Sequence, residues 1–216
     1  SDLKLMTHFA NADDVDDATT KKQIERFVRI VEDFTGDVSI ANSAGLLGWT
    51  GALQAFDELS AAGRLWIRPG IALYGVSPIR GKRADDLGLK APMQFESSLS
   101  AVKSLRAGEP VGYGGTWQSE RDTILGIIAA GYGDCYSRYI PSVTPVLVNG
   151  RRVPVAGVIS MDLTAVDLGP DASDKVGDQG VLWGDGLPVE EIAEYAETGP
   201  YQLVTGVTHR EEPVYD

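Results

Sequence analysis

A chain of 216 residues with 43% hydrophobic content can bury a real core in one large domain or two smaller ones, which excludes a disordered chain. Asp and Glu total 31 against 19 Lys and Arg, and the formal net charge of −12 argues against a nucleic-acid or anionic-membrane partner. The single cysteine, Cys135, excludes an intrachain disulfide; no apolar run is long enough to span a bilayer or form a signal-peptide core, so a reducing cytoplasm fits best.

In chain order, Leu3 to Thr7 reads as a short apolar strand. From Thr19 or Thr20 to Phe34, the residues Ile24, Phe27, Val28 and Val31 fall at helical spacing, with threonine before the helix and Gly36 after it. Asp37 to Ala41 is a second strand. Ser43 begins a turn into a helical region from Leu46 to Leu59, Gly63 closes it, and Leu65 to Ile71 is a third strand. Strand and helix alternating in this way predict parallel βα units. Three such units cannot close a barrel, and leave a sheet edge and an apolar flank open.

The polar stretch Pro78 to Lys90 places a boundary between a first domain, 1–85, and a second, 86–216. After it the pattern changes to short strands separated by Gly, Pro and Asn turns: Ser97 to Val102, Thr123 to Ala130, Thr144 to Val148, Val153 to Val158 and Leu163 to Leu168. That is the mark of an antiparallel β domain. Asn149-Gly150 is a type I′ hairpin signal. Leu187 to Ala196 is the one helix-like stretch. The fold class is therefore α/β followed by all-β.

The stretch Trp66-Ile67-Arg68-Pro69-Gly70-Ile71 carries the first chemistry. An apolar strand runs into a cation beside exposed backbone amides, so Arg68 and the N–H groups of Gly70 and Ile71 suit an anionic ligand. Arg-Pro-Gly also occurs in plain turns. Its company distinguishes it: Thr7-His8-Phe9-Ala10-Asn11-Ala12-Asp13, Ala41-Asn42-Ser43-Ala44-Gly45, Val111-Gly112-Tyr113-Gly114-Gly115-Thr116-Trp117, Gly131-Tyr132-Gly133-Asp134 and Ser160-Met161-Asp162.

In this order and at these separations the motifs resemble alanine racemase, from Leu3 to the C-terminus. The resemblance implies the C-terminal part of a TIM-type (β/α)8 barrel, its last three or so βα units, followed by an antiparallel β domain. It implies pyridoxal phosphate as cofactor, and a homodimer that shares its active site between subunits and interconverts L- and D-alanine, supplying D-alanine for peptidoglycan. Tyr113 is then one of two catalytic bases, reached by a loop that Gly112, Gly114 and Gly115 let fold sharply. Arg68 faces the cofactor's pyridine nitrogen, and His8 links Arg68 to Tyr113 of the other subunit. Ser43, Gly70, Ile71 and Tyr201 match positions that grip the cofactor phosphate. Ser43 also reads as a helix cap, and Tyr215 is an alternative hydroxyl to Tyr201. Met161 matches a residue whose amide meets the substrate carboxylate, though a methionine packing at a strand end is equally good physics. Tyr136 and Asp162 match residues that line the access corridor.

The sequence departs from the family in three ways. None of the seven lysines, Lys4, Lys21, Lys22, Lys82, Lys90, Lys103 and Lys175, has the context of the family's Schiff-base lysine, and its upstream carboxylate-binding arginine has no counterpart. Cys135, Ser137 and Val143 stand where the family has glycine, proline and glycine. The tail Thr208-His209-Arg210-Glu211-Glu212 replaces a Ser-Arg-Val pattern. The expectation is a racemase fragment, inactive by itself. A naturally short, non-catalytic dimerisation or binding module and a broader-specificity racemase are the alternatives. No metal site is expected.

Overall fold

Three strands, β1 (Leu5–Met6), β2 (Val38–Asn42) and β3 (Leu65–Arg68), pair in parallel in the spatial order β1-β2-β3 in a computed structural model of the chain. The structure describes residues 3–208, 210 and 213–215, and the chain divides into two units, Ser1–Pro92 and Met93–Asp216. In the first, register aligns Leu5 with Val38 and Leu65, and Met6 with Ser39 and Trp66. Side chains alternate across a strand, so the first trio faces one side of the sheet and the second the other. Leu5, Val38 and Leu65 pack with Phe9, Ile24, Phe27, Ile40 and Phe56 in a core. On the opposite face Met6 and Trp66 remain 62% and 55% exposed, so helices cover only one side.

Helix α1 (Ala18–Val31) buries Ile24, Phe27 and Val31 as the spacing predicts. Its cap is Asp17, not threonine: the carboxylate accepts the Thr19 N–H at 2.7 Å and is itself held by Asn11 Nδ2 at 2.7 Å. The helical region expected over 46–59 breaks into α2 (Ser43–Gly48), α3 (Thr50–Leu53), a 3-10 turn at Gln54–Phe56, and α4 (Asp57–Ala61). The first break has a packing cause. A Cβ on Gly48 would lie 2.8 Å from Ile79, and Trp49 leaves helical geometry to donate its indole N–H to the Ala12 carbonyl at 3.1 Å. Strand β3 ends at Arg68 because Pro69 offers no N–H to a ladder.

The second unit begins with β4 (Phe95–Leu105), followed by a small hairpin of β5 (Pro110–Val111) and β6 (Trp117–Gln118). Strands β7 (Thr123–Ile128), β8 (Pro145–Val148), β9 (Arg151–Pro154), β10 (Thr164–Gly169) and β11 (Gln179–Trp183) join β4 in an antiparallel sheet, ordered β10-β7-β4-β11-β8-β9. Val155 bridges Val166, and the Ala156 N–H donates to the Ala165 carbonyl at 2.8 Å. These contacts bring the two ends of the sheet together into a nearly closed barrel. Asn149 and Gly150 both have positive φ, 49° and 74°, and turn β8 into β9 as the hairpin signal predicts. The structure adds elements absent from the sequence reading, namely the short β5 and β6, strand β11, and a second helix, α6 (Pro200–Gly206), beyond α5 (Val189–Tyr195), and the strand expected over 153–158 is shifted to Arg151–Pro154. No described helix is long and apolar enough to cross a membrane, and no described cluster of His, Cys, Asp and Glu has the arrangement of a metal site.

Candidate active site

On the first unit the chemistry gathers at the C-terminal ends of the parallel strands. Arg68, at the end of β3, is held by three groups: Nη2 donates to the Thr7 carbonyl at 2.8 Å, Nη1 to Ser39 Oγ at 2.5 Å, and Nη2 lies 3.4 Å from His8 Nδ1. A guanidinium can only donate, so the His8 contact is a hydrogen bond only when Nδ1 carries no proton. Where Nδ1 accepts from Arg68, the other ring nitrogen, Nε2, is the one left to donate. His8 is exposed. Arg68, Ser39, Trp66 and Ile67 line an open groove of about 320 Å³ on the uncovered sheet face. At the other end of the strands Lys4 pairs with Asp37 at 3.3 Å and lies over the Trp66 ring.

Ser43 sits at the start of α2, where Asn42 supplies the cap by accepting the Gly45 N–H at 2.9 Å. The cap expected of Ser43 thus belongs to its neighbour, and the Ser43 hydroxyl is left for another partner. It is buried, 2% exposed, and accepts the Ala72 N–H at 3.1 Å. Because Oγ accepts there, its own proton remains to donate. Pro69-Gly70 forms a tight turn in which the Gly70 N–H donates to the Arg68 carbonyl at 2.9 Å. The Gly70 amide, expected to meet an anion, is thus engaged internally. Ile71 opens a 3-10 helix, Ile71–Tyr74, so its N–H has no acceptor within that helix. Open space surrounds Gly70, so a ligand atom can approach this backbone. The donor set here is one hydroxyl and one amide, which suits an anionic group such as a phosphate.

On the second unit Tyr113 stands in a 3-10 turn, Tyr113–Gly115, between β5 and β6. Gly112, Gly114 and Gly115 flank it at φ 76°, 72° and 57°, a left-handed path that only glycine follows cheaply. The phenol is 62% exposed. The Arg138 guanidinium lies 5.1 Å from the Tyr113 ring centroid and 5.9 Å from that of Tyr132, and so joins the two rings. Met161 and Asp162 form the turn between the Ser160 N–H and the Leu163 carbonyl, 2.9 Å apart. That turn is tied to the tyrosine loop: Tyr132 N–H donates to Ser160 O at 3.0 Å and Gly133 N–H to Met161 O at 2.8 Å.

One further assignment from sequence changes. Tyr136, expected to line a corridor, is completely buried, stacked on Trp183 with centroids 6.3 Å apart, and loss of solvent raises its phenol far above the ordinary value. The exposed tyrosine beside Tyr113 is Tyr132, and Arg138 is its partner. The signal for both was present in Gly131-Tyr132-Gly133-Asp134 and in the arginine six residues beyond Tyr132, but nothing local distinguishes Tyr132 from Tyr136. Tyr201 lies in the first turn of α6, 55% exposed. Tyr215, the alternative hydroxyl, is 88% exposed near the terminus.

Residues 3–78 match the family described as "Alanine racemase, N-terminal domain" and residues 92–215 match "Alanine racemase, C-terminal domain". The chain is 52% identical over 213 residues to an alanine racemase of Vibrio cholerae, covering 99% of this chain and 56% of that protein. It is 52% identical over 208 residues to one of Shewanella loihica, covering 96% and 55%. Among solved structures, it resembles the biosynthetic alanine racemase of Pseudomonas aeruginosa with a TM-score of 0.84 at 41% identity, covering 97% of this chain and 56% of that one. It resembles that of Bartonella henselae, solved with covalently bound pyridoxal phosphate, with a TM-score of 0.83 at 32% identity, covering 99% and 56%. The chain thus spans about half the length of the relatives it matches.

Proposed function

The chain belongs to the alanine racemase family, and from that membership we propose that it forms the tyrosine-bearing, phosphate-gripping part of an enzyme that interconverts L- and D-alanine with pyridoxal phosphate. The observation that carries this reading is the Ser43 hydroxyl fixed on the Ala72 N–H, next to the Ile71 amide, a few residues along the chain from the cation of Arg68 that Thr7 and Ser39 hold in place. When bound, the cofactor supplies an electron-withdrawing ring that stabilises the carbanion left after the α-proton departs. The residues divide the remaining work. Ser43 Oγ–H and the Ile71 amide bind the phosphate, with Tyr201 as a further hydroxyl. Arg68, whose guanidinium can only donate, would present its N–H groups to the pyridine nitrogen.

Tyr113 removes or returns the proton at the α-carbon on one face. Its exposure on a glycine-flanked turn supports action toward a second subunit, where the His8 ring meets the phenol oxygen and Arg68 holds His8 in turn. The reading is therefore of a homodimer with shared sites, in the cytoplasm. Met161 supplies an amide to the substrate carboxylate, and Asp162 with Tyr132 lines the approach. The base for the other face is the family's lysine, and these 216 residues contain no segment of that kind.

The test is a titration of the isotopically labelled 216-residue protein with pyridoxal phosphate and, separately, with pyridoxal, read by backbone amide resonances. The phosphate form shifts Ser43, Ile71 and Ala72, pyridoxal leaves them in place, and Ser43→Ala weakens binding about fivefold to tenfold, the worth of one hydrogen bond. Equal shifts with both compounds, or shifts confined to other residues, overturn the assignment.

A further inference from the structure

We propose that Arg210 is a positioning residue, and that the segment carrying it latches the Tyr132 loop to the Met161 turn. Its guanidinium spans two carboxylates on different loops, with Nε 3.4 Å from Asp134 Oδ1 and Nη2 2.6 Å from Asp162 Oδ1. Asp134 is buried, its side chain 5% exposed, and its other oxygen accepts the Gly131 N–H at 2.9 Å. That bond fixes the turn from which Tyr132 projects. Asp162 is exposed and follows Met161 directly. Arg210 therefore connects a carboxylate that shapes one loop with a carboxylate that ends the reach of the other.

Two more contacts place the segment against the same loop. The Thr208 hydroxyl donates to the Gly133 carbonyl at 3.2 Å. A Cβ built on Gly133 would lie 2.2 Å from Arg210 Nη1 and 3.0 Å from the Met161 carbonyl oxygen. A side chain at 133 would thus meet the guanidinium, which would have to move aside. Hydrogen bonds from Tyr132 to Ser160 and from Gly133 to Met161 cross the junction that Arg210 closes. A charge-assisted bridge across two loops orders both, because either loop moves only by breaking it. The consequence for catalysis rests on the reading of Met161 as a carboxylate-binding amide; the latch itself does not.

Amide hydrogen exchange on the 216-residue protein, without cofactor or substrate, tests the latch. In Arg210→Ala the Tyr132 and Gly133 amides exchange at least tenfold faster than in the parent, while Leu125 and Ile128 in β7 keep their rates. Arg210→Lys restores part of the protection, because an ammonium bridges two carboxylates without matching the fork. Gly133→Ala reproduces the effect with Arg210 intact, by displacing its guanidinium. Unchanged rates at Tyr132 and Gly133 overturn the proposal. So does uniform acceleration that includes Leu125 and Ile128, which marks a general contribution to stability. Neither result bears on the phosphate site, whose failure shows separately in the amide shifts of Ser43 and Ile71.

Discussion

Cys135 and Val143 are the residues at which this chain departs most sharply from what its backbone asks. Their φ angles are 100° and 82°, in the region that favours glycine. An L-residue there costs about 1–2 kcal/mol, more for a β-branched side chain, against roughly 0.5–1 kcal/mol of extra chain entropy lost by glycine. Val143 is 64% exposed and gives up little burial, so Val143→Gly is expected to stabilise the protein by about 0.5–1 kcal/mol in urea unfolding. Cys135 differs: its Sγ–H donates to the Leu203 carbonyl at 3.1 Å, and burial pushes the thiol up to about 11, so it is a tether to α6 and a poor nucleophile. Asp167 is a buried carboxylate of the second unit, accepting from Thr123 Oγ1, from Arg121 at 3.2 Å and from the Gly169 N–H at 3.0 Å. Asp167→Ala leaves the buried Thr123 hydroxyl unpaired and costs about 2–3 kcal/mol in the same measurement. At this scale much of the site was legible, because Tyr113, Arg68 and Ser43 sit in motifs whose glycines and proline carry their own geometry. Tyr136 was not, since its burial is decided by Trp183, far along the chain.

Helix α1 and the hairpin at Asn149-Gly150 follow from local pattern, as does the division into parallel and antiparallel parts. Strand β11 was hidden because Gly180 to Trp183 is buried on both faces, so the alternation that identifies a half-exposed strand is absent. Helix α6 was hidden because only Leu203 and Val204 are buried in its seven residues, too few to set a period. Two predictions belong to elements. A Cβ on Gly75, which sits at φ 69°, would lie 2.1 Å from the Lys90 carbonyl oxygen; both causes act together, so Gly75→Ala is expected to cost more than about 2 kcal/mol by thermal or urea unfolding. The Asp17 cap makes α1 acid-sensitive. Hydrogen bonds from the Asn11 side chain, then from Thr19, lower its carboxyl to about 2, below the ordinary value near 4. A depressed folded pKa stabilises above the unfolded value and is lost as pH falls through the folded one, so amides in the first turn of α1 lose protection between about pH 4 and pH 2. Asp17→Asn keeps the cap and removes that dependence.

For the molecule as a whole, the parallel sheet has unpaired outer edges at β1 and β3 among the described residues, and the chain spans 56% of its Vibrio cholerae relative. In the function proposed here these residues supply the grip on phosphate, the pyridine-facing cation and one catalytic tyrosine, and none of the seven lysines holds the cofactor covalently. Lys4, which lines the same groove as Arg68, is engaged by Asp37 and lies over the Trp66 ring at the opposite end of the strands. The deciding measurement is the visible spectrum of the 216-residue protein after incubation with pyridoxal phosphate and thorough desalting. The account predicts that no cofactor band survives, the bound phosphate leaving with the free ligand. A band retained through desalting would show that a lysine within these residues anchors the cofactor, and would contradict the division of labour proposed for this chain.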